Sequence, residues 1–423
     1  MATDPSTDAG RRIVTLDIIR GIAVMGIFSV NVVAFAMIEA AYFNPAAYGT
    51  RSSADLFVWG ANMLLIDGKL RSLFSMLFGA SMLLVIERAE AAGESGWWVH
   101  ARRMVVLLAF GLLHYFFIWS EDILTLYAVA GLIAFLFRRK ASERLIGIGL
   151  VFLVLHMLLF AGFIFHMYGV QAAALAPGAT DQAIKEWNES LGSMAPTAAA
   201  IATDKAIYLG SFPAFASHQL GTWPQLIAQT IVLLPDTIGL MLLGMAGFKS
   251  GFLTGSWDDR RYRQIAVWGV LVGLVGGAGV IAADVASSFD VVTVMGAFGM
   301  ADTPFITAMA VGYAALIILL SRRLGPLWRR VAAAGRCAFT NYLGTSLIAT
   351  FVFYGWGLGL YGSVSRWQAW LLVPVVWAIM LLWSKPWLER FTYGPFEWAW
   401  RSLSRGKLQP MRTRLPQAAA VEA

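Results

Sequence analysis

The sequence predicts an all-α polytopic membrane protein of about ten transmembrane helices, with both termini in the cytoplasm. Three observations carry this expectation. Hydrophobic residues make up 58% of the 423 residues and charged residues only 13%, whereas a soluble chain has about 25% charged residues. Apolar runs close to the roughly 20 residues that a helix needs to cross a bilayer recur along the chain. Basic clusters and acidic or neutral connections alternate between those runs, as the positive-inside rule requires. The mean hydropathy of +0.67 agrees. A single cysteine, Cys337, excludes an internal disulfide. The net charge of +7 is spread over several connections, which points to membrane orientation and gives nucleic-acid binding no support.

The expected crossings lie at 18–38, 70–87, 104–119, 123–137, 145–168, 226–248, 265–283, 305–320, 332–356 and 367–383. Arg11 and Arg12 before the first run imitate a signal peptide, but Asp17 and Arg20 at its start favour an uncleaved helix. A weaker apolar stretch, 56–66, ends in Asp67, Gly68 and Lys69. The sequence leaves open whether it spans, re-enters or lies in the interface, and the charge alternation holds only if it does not cross by itself. Residues 1–401 are expected to form one integral-membrane domain with 170–223 as an external connection, and 402–423 a poorly ordered basic cytoplasmic tail. Gly269, Gly273 and Gly277 recur every four residues, the spacing of a close-packing helix face.

Charged groups inside a bilayer need a reason, because each costs about 2.5–3.5 kcal/mol at mid-depth. Asp17 and Arg20 are three residues apart, so they share a helix face. They read equally well as a structural ion pair and as an anion site. Asn31 lies three turns further on, about 16 Å along the axis. Arg103 and His114 are separated by ten residues, again about 16 Å. With Arg103 at the inner surface, His114 sits near the middle of the membrane, where lipid offers an imidazole no partner. Histidine is also the side chain best suited to pass protons near neutral pH.

The short turn after this helix carries Trp119, Glu121 and Asp122, with Tyr127 one turn into the next run. Glu121 reads first as a solvated acidic residue. Asp122 reads as a helix N-cap or as a group that orients His114. Asp236 follows Pro235 within a crossing and is a functional candidate by position. Lys69 and Arg71 read as cations snorkelling to the outer interface, and Arg336 and Asn341 open the ninth run. His156 and His166 read as structural or interfacial, and His100 and His218 as residues of connections. No metal-ligand spacing, phosphate loop or dinucleotide fingerprint is present, so no metal is expected.

Leu16-Asp17-Ile18-Ile19-Arg20-Gly21 with Asn31, Leu77-Phe78-Gly79, Gly111-Leu112-Leu113-His114 and Asp122-Ile123-Leu124 with Tyr127 resemble the YeiB-like bacterial membrane proteins. Gly335-Arg336, Thr340-Asn341-Tyr342 and Gly394-Pro395-Phe396-Glu397-Trp398 extend that resemblance to the C-terminal third. The family is similar to a wider superfamily of integral-membrane acyltransferases, among them sugar O-acetylating and heparan-glucosaminide acetyltransferase-like enzymes. In the sugar branch an arginine and a histidine ten residues apart form a signature, a spacing that Arg103 and His114 share.

The resemblance implies transfer of an acyl group, acetyl in the first instance, from cytoplasmic acyl-CoA to a hydroxyl or amine of an extracytoplasmic acceptor such as a sugar. Arg20, Arg103 and Arg336 would bind the donor's phosphates. His114 would be the base or the acyl carrier, Asn31 an oxyanion donor and Asp122 its helper. Asp17, Glu121, Trp119, Tyr127, Asp236, Lys69, Arg71 and Asn341 are the acceptor-side candidates. The resemblance also implies a bacterial inner-membrane location and allows a homodimer. The competing expectation is a proton-coupled small-solute transporter using Asp236, His114 and Asp17.

Overall fold

A computed structural model describes residues 14–323 and 325–412. Arg11, Arg12 and the tail beyond 412 lie outside the described residues. Helices α1 (Val14–Ala36), α2 (Ala40–Phe43), α3 (Ser53–Leu65), α4 (Lys69–Ala91), α5 (Gly96–Phe117) and α6 (Leu124–Ala134) form the first part of the bundle. Then follow α7 (Ser142–Leu175), α8 (Asp181–Leu191), α9 (Ala198–Tyr208), α10 (Phe212–Gly221), α11 (Trp223–Lys249), α12 (Asp259–Ala286) and α13 (Val291–Gly296). The remainder is α14 (Thr303–Leu320), α15 (Pro326–Arg336), α16 (Ala338–Phe353), α17 (Arg366–Trp370), α18 (Leu372–Arg390) and α19 (Pro395–Arg405).

Eight helical segments are long and apolar enough to cross a membrane, against the ten expected: Val14–Ala36, Ser53–Ala91, Gly96–Phe117, Ser142–Leu175, Trp223–Lys249, Asp259–Ala286, Thr303–Leu320 and Arg366–Arg390. The expected fourth crossing is the shorter apolar helix Leu124–Phe137. The expected ninth is divided: the chain leaves helical geometry at Cys337 (φ −101°, ψ 26°), ending α15 and starting α16. The α15 sequence Pro-Leu-Trp-Arg-Arg-Val-Ala-Ala-Ala-Gly-Arg is amphipathic, which suits an interface better than a hydrocarbon core. The ambiguous 56–66 stretch belongs to α3, and α3 and α4 are joined through Gly68, whose φ of +70° makes the break.

Close glycine contacts set the helix crossings. A β-carbon on Gly21 of α1 would lie 2.2 Å from the Val331 carbonyl oxygen of α15, and one on Gly335 would lie 1.8 Å from the Asp17 carbonyl oxygen. The pairs Gly79–Met241 and Gly244–Met76 bring α4 and α11 together in the same way, at 2.1 and 1.8 Å. Gly269 meets the backbone of Ala308 and Gly312, and Gly273 the side chain of Met309, so these two glycines of the expected face pack α12 on α14, while Gly277 meets Leu64 of α3. With no side chain between them, two helices gain dispersion contacts over their whole crossing. Among the crossing segments α1 is the most enclosed and α12 the least, with 67% and 17% of their apolar cores buried, so α1 is central and α12 peripheral.

The expected external connection 170–223 is largely helical: α7 runs on to Leu175, and α8, α9 and α10 follow. The described start of the tail is ordered, contrary to expectation. Residue 412 forms an antiparallel bridge with Phe391, and the Trp398 indole donates to the Gln409 carbonyl at 2.8 Å.

Candidate functional site

Residue Gly111 and His114 are three apart on α5, so they face the same neighbour. A β-carbon at Gly111 would lie 2.5 Å from the Thr125 nitrogen and 2.8 Å from Asp122 Oδ2. The missing side chain is the space in which the start of α6 and the Asp122 carboxylate sit. Asp122 Oδ2 accepts from the Thr125 backbone N–H at 2.7 Å, a helix-capping bond. Its Oδ1 lies 2.9 Å from His114 Nδ1. Asp122 therefore fills both roles that its position suggests, cap and orienter. With the carboxylate ionised, Nδ1 carries the imidazole proton and Nε2 is left to accept. The group at Nε2 is the Ser346 hydroxyl of α16, 2.9 Å away.

Asp122, His114 and Ser346 thus form a hydrogen-bonded line across α5, the α5–α6 turn and α16. It has the order of a serine–histidine–carboxylate constellation. All three are buried, His114 and Ser346 to 1% exposure, so the imidazole faces protein and not lipid. The Tyr342 ring lies 5.3 Å from the imidazole. The Trp119 ring meets it edge-on at 6.2 Å and stacks on Phe35 of α1 at 4.0 Å. Ser346 was not legible in the sequence, being one hydroxyl of a Thr-Ser pair within an apolar run. The trace it left is position: it follows Tyr342 by one turn, and its hydroxyl also lies 3.3 Å from the Tyr342 carbonyl.

Glu397 explains why α16 begins where it does. Its Oε1 accepts from the Phe339 and Thr340 backbone N–H groups at 2.7 and 3.1 Å, and its Oε2 accepts from the Thr340 hydroxyl. A β-carbon on Gly394 would fall 2.2 Å from that carboxylate. The Gly-Pro-Phe-Glu-Trp segment is thus a cap, supplied by α19, for the helix that bears Ser346.

At the opposite end of α5 the Arg103 guanidinium lies 4.2 Å from the centre of the Trp400 ring. The Trp400 indole donates to the Arg103 carbonyl at 2.9 Å. Arg401 and Arg405 are its charged neighbours, and Arg103 makes no ion pair among the described residues. The other two arginines of the expected anion site are engaged. Arg20 donates to Asp17 Oδ1 at 3.1 Å and to the Ser81 hydroxyl at 2.7 Å, and Arg336 donates to the Thr392 carbonyl at 3.3 Å.

Three of the acceptor-side candidates, Arg71, Asp236 and Tyr127, lie within electrostatic reach of one another, whereas Asp17 pairs with Arg20 on α1. Arg71 of α4 pairs with Asp236 of α11 at 2.7 Å, and Ser75 lies 2.7 Å from the Tyr127 hydroxyl. Lys69 does not snorkel: it is 3% exposed and donates to the Met63 carbonyl at 2.5 Å, because the turn at Gly68 folds its side chain back on α3. Asn341 donates to the Ala334 carbonyl at 3.0 Å and accepts from the Trp383 indole at 2.9 Å, tying α15, α16 and α18. Asn31 is half-buried and makes no side-chain hydrogen bond among the described residues, and it is not among the partners of His114. His100 sits in α5 and not in a connection, its ring 3.0 Å from the Gly131 carbonyl. Glu121 is half-buried rather than solvated. No group of three or more metal-ligating side chains occurs among the described residues.

Residues 247–407 match the family described as "Protein of unknown function (DUF418)". The chain is 32% identical over 399 residues to the uncharacterized protein YeiB of Escherichia coli K12, covering 93% of this chain and 96% of that one. It is 31% identical over 425 residues to the uncharacterized protein YxaH of Bacillus subtilis 168, covering 97% and 98%. It is 25% identical over 403 residues to an uncharacterized 39.9 kDa protein of Bacillus acidopullulyticus, covering 95% and 96%. No solved structure matches. Multi-pass helical architecture and end-to-end likeness to bacterial relatives lead to one assignment: the chain belongs to the YeiB/YxaH family of membrane proteins.

Proposed function

We infer that the protein is a membrane-embedded acyltransferase that takes an acyl group from cytoplasmic acyl-CoA and delivers it to a hydroxyl or amine on the other side of the bacterial inner membrane. The observation that carries this reading is the buried Asp122–His114–Ser346 line, with 2.9 Å at each imidazole nitrogen. Ser346 Oγ attacks the thioester carbonyl carbon as its proton passes to His114 Nε2. The C–S bond breaks and the CoA sulfur takes that proton, leaving an ester on Ser346. The acceptor then attacks the ester carbon, its proton passes to Nε2, and the Ser346 oxygen leaves and is reprotonated. Asp122 holds the tautomer and steadies the imidazolium in both halves.

Water exclusion around Ser346 suits such an ester, since hydrolysis is the competing reaction. Side chains around Ser346 must part for substrate to reach it. Arg103, Arg401 and Arg405 are the cations that suit the donor's phosphates, because arginine binds phosphate bidentately, and Trp400 offers a stacking face beside them. Arg20 is largely neutralised by Asp17 and is a weaker candidate.

The test is acyl transfer from radiolabelled acetyl-CoA by purified protein in proteoliposomes, followed by peptide mass spectrometry. His114→Ala and Ser346→Ala are expected to reduce turnover at least 100-fold, the range general-base catalysis supplies, and acetyl-Ser346 is expected in the absence of acceptor. Full turnover in His114→Ala sinks the assignment, and full turnover in Ser346→Ala sinks the serine ester. A second reading, proton-coupled solute transport, rests on the Arg71–Asp236 pair beside Pro235. Solute flux without any acyl donor, abolished by Asp236→Asn, is its signature.

A further inference from the structure

The spanning segment Ser53–Ala91 is 39 residues long and broken between its two helices. α3 ends at Leu65, Ile66 leaves helical geometry (φ −126°, ψ −52°) and α4 resumes after Gly68. Carbonyl groups around the break are satisfied from nearby. Leu65 accepts from the Tyr313 hydroxyl at 2.9 Å, Met63 from Lys69, and Asn62 from the backbone N–H groups of Ile66 and Asp67, both at 2.8 Å. Irregular backbone inside a membrane is tolerated where it is buried in protein or lines a cavity, and membrane proteins place polar ligands at such breaks. A cavity does lie at this one. Its walls include Val33 of α1, Tyr42 of α2, Trp59 and Asn62 of α3, Asp67 in the break and Arg366 of α17.

Two opposite charges border this cavity without meeting. Arg366 is 2% exposed. Its Nη2 donates to the Ala41 carbonyl at 2.7 Å, and its Nε–H has no partner. The carboxylate in electrostatic reach of it is Asp55, whose oxygens are taken by the backbone N–H groups of Trp367 and Arg51 at 2.9 and 3.0 Å and by the Ser52 hydroxyl at 2.8 Å. Asp67 Oδ1 accepts from the Tyr42 hydroxyl at 3.1 Å. The cations in reach of Asp67 are Lys69 and Arg71. Lys69 donates to the Met63 carbonyl and Arg71 pairs with Asp236. Neither Arg366 nor Asp67 joins an ion pair among the described residues. Asn62 adds an acceptor: its Nδ2 donates to the Val58 carbonyl at 2.9 Å, while its buried Oδ1 has no partner. Charged groups at membrane depth ordinarily pair with one another or with backbone carbonyls, and a buried donor or acceptor ordinarily finds a partner.

We propose that the cavity at the α3–α4 break binds a small α-amino acid as its zwitterion, with the carboxylate towards Arg366 and the ammonium group towards Asp67 and Asn62 Oδ1. Arginine matches a carboxylate with parallel N–H donors, and an ammonium group has three N–H donors to share between a carboxylate and an amide oxygen. A ligand with one charge would answer one wall and leave the other unmet. Val58 and Met63 join Val33 as apolar lining, which suits the carbon between the two charged ends. The space is small, enough for about two waters, and this confines the ligand to glycine or alanine. None of Asp122, His114 and Ser346 lines the cavity, so binding here requires no acyl transfer.

Full-length protein in detergent, without acyl donor, is titrated calorimetrically with glycine, leucine, acetate and methylammonium. Glycine is expected to bind, leucine at least tenfold more weakly, and acetate and methylammonium to give no comparable signal. Asp67→Asn and Arg366→Gln are each expected to weaken glycine at least tenfold. Arg366 also holds the Ala41 carbonyl, so Asn62→Leu serves as a variant that keeps the fold. Its amide bonds only within its own helix, and its loss should weaken glycine severalfold. Asn188→Ala, at an exposed position on α8, should leave binding unchanged. Undiminished glycine binding in Asp67→Asn and Asn62→Leu overturns the site. Acetate or methylammonium binding as tightly as glycine overturns the zwitterion, and leucine binding as tightly overturns the small cavity as its seat. Absence of any heat or thermal stabilisation with glycine overturns the proposal outright and leaves the cavity to water.

Discussion

His114 draws its meaning from what touches its two nitrogens. The ten-residue interval from Arg103 places it at depth, but the interval does not name its partners. Asp122 at Nδ1 and Ser346 at Nε2 do so, and they turn a lone buried histidine into the centre of a relay. Glu121, one residue away, behaves oppositely to a paired carboxylate. Its ionisation in the folded state is pushed up to about 8, first by burial and then by Glu39 and Asp67. The unfolded chain holds this carboxyl at about 4.3, so between those values the folded protein binds the extra proton. Stability from this residue is therefore fully present below the unfolded value, is lost as pH rises to about 8, and changes no further above it. Glu121→Gln is expected to raise the melting temperature by a few degrees at pH 8.5 relative to the parent, with a much smaller difference at pH 5. Equal shifts at both pH values would contradict the burial of a strained carboxylate.

Elements here are placed by contacts that leave weak traces in hydropathy. The expected 332–356 crossing looks continuous by composition, yet α16 is a separate helix whose first N–H groups are capped by Glu397 from α19. Hydrogen bonds to a charged group contribute about 1.5–3 kcal/mol. Glu397→Ala is thus expected to destabilise the protein by about that amount. Because α16 carries Ser346, it should also lower turnover at saturating substrate, and Glu397→Gln should recover part of both losses. Thermal melts and acyl-transfer rates on the same preparations check this. An unchanged melt would remove the cap from the account of how Ser346 is held. The glycines at the α1–α15 and α4–α11 crossings act alike: Gly21, Gly335, Gly79 and Gly244 each abut backbone of the facing helix, so the motifs that carry the family resemblance are in large part packing motifs.

Across the whole molecule, α5 separates two chemically different ends. One holds Arg103 with Arg401 and Arg405, and the other holds Glu39, Glu121 and Asp204. On the positive-inside rule the basic end is expected to face the cytoplasm. Cys337, the sole cysteine, is buried, so single-cysteine labelling has a quiet background. Glu186→Cys on α8 is expected to react with a membrane-impermeant maleimide in intact cells. Arg139→Cys, in the α6–α7 connection, should react only after permeabilisation. The reverse pattern would invert the orientation and with it the side proposed for the acyl-CoA donor.

Composition and periodicity were enough to determine the class of the molecule, because a chain with so few charges cannot face water on all sides. They also marked His114, Asp122 and Arg103, since polar groups stand out against an apolar background. Hydropathy measures transfer into lipid one segment at a time, and says nothing of which helices face each other. For that reason the division at Cys337, the pairing of Arg71 with Asp236, the inward fold of Lys69 and the arrival of Ser346 at His114 were decided by tertiary contact alone. The Arg71–Asp236 and His114–Ser346 meetings join residues far apart in the chain, and the first is set by glycine packing of α4 on α11.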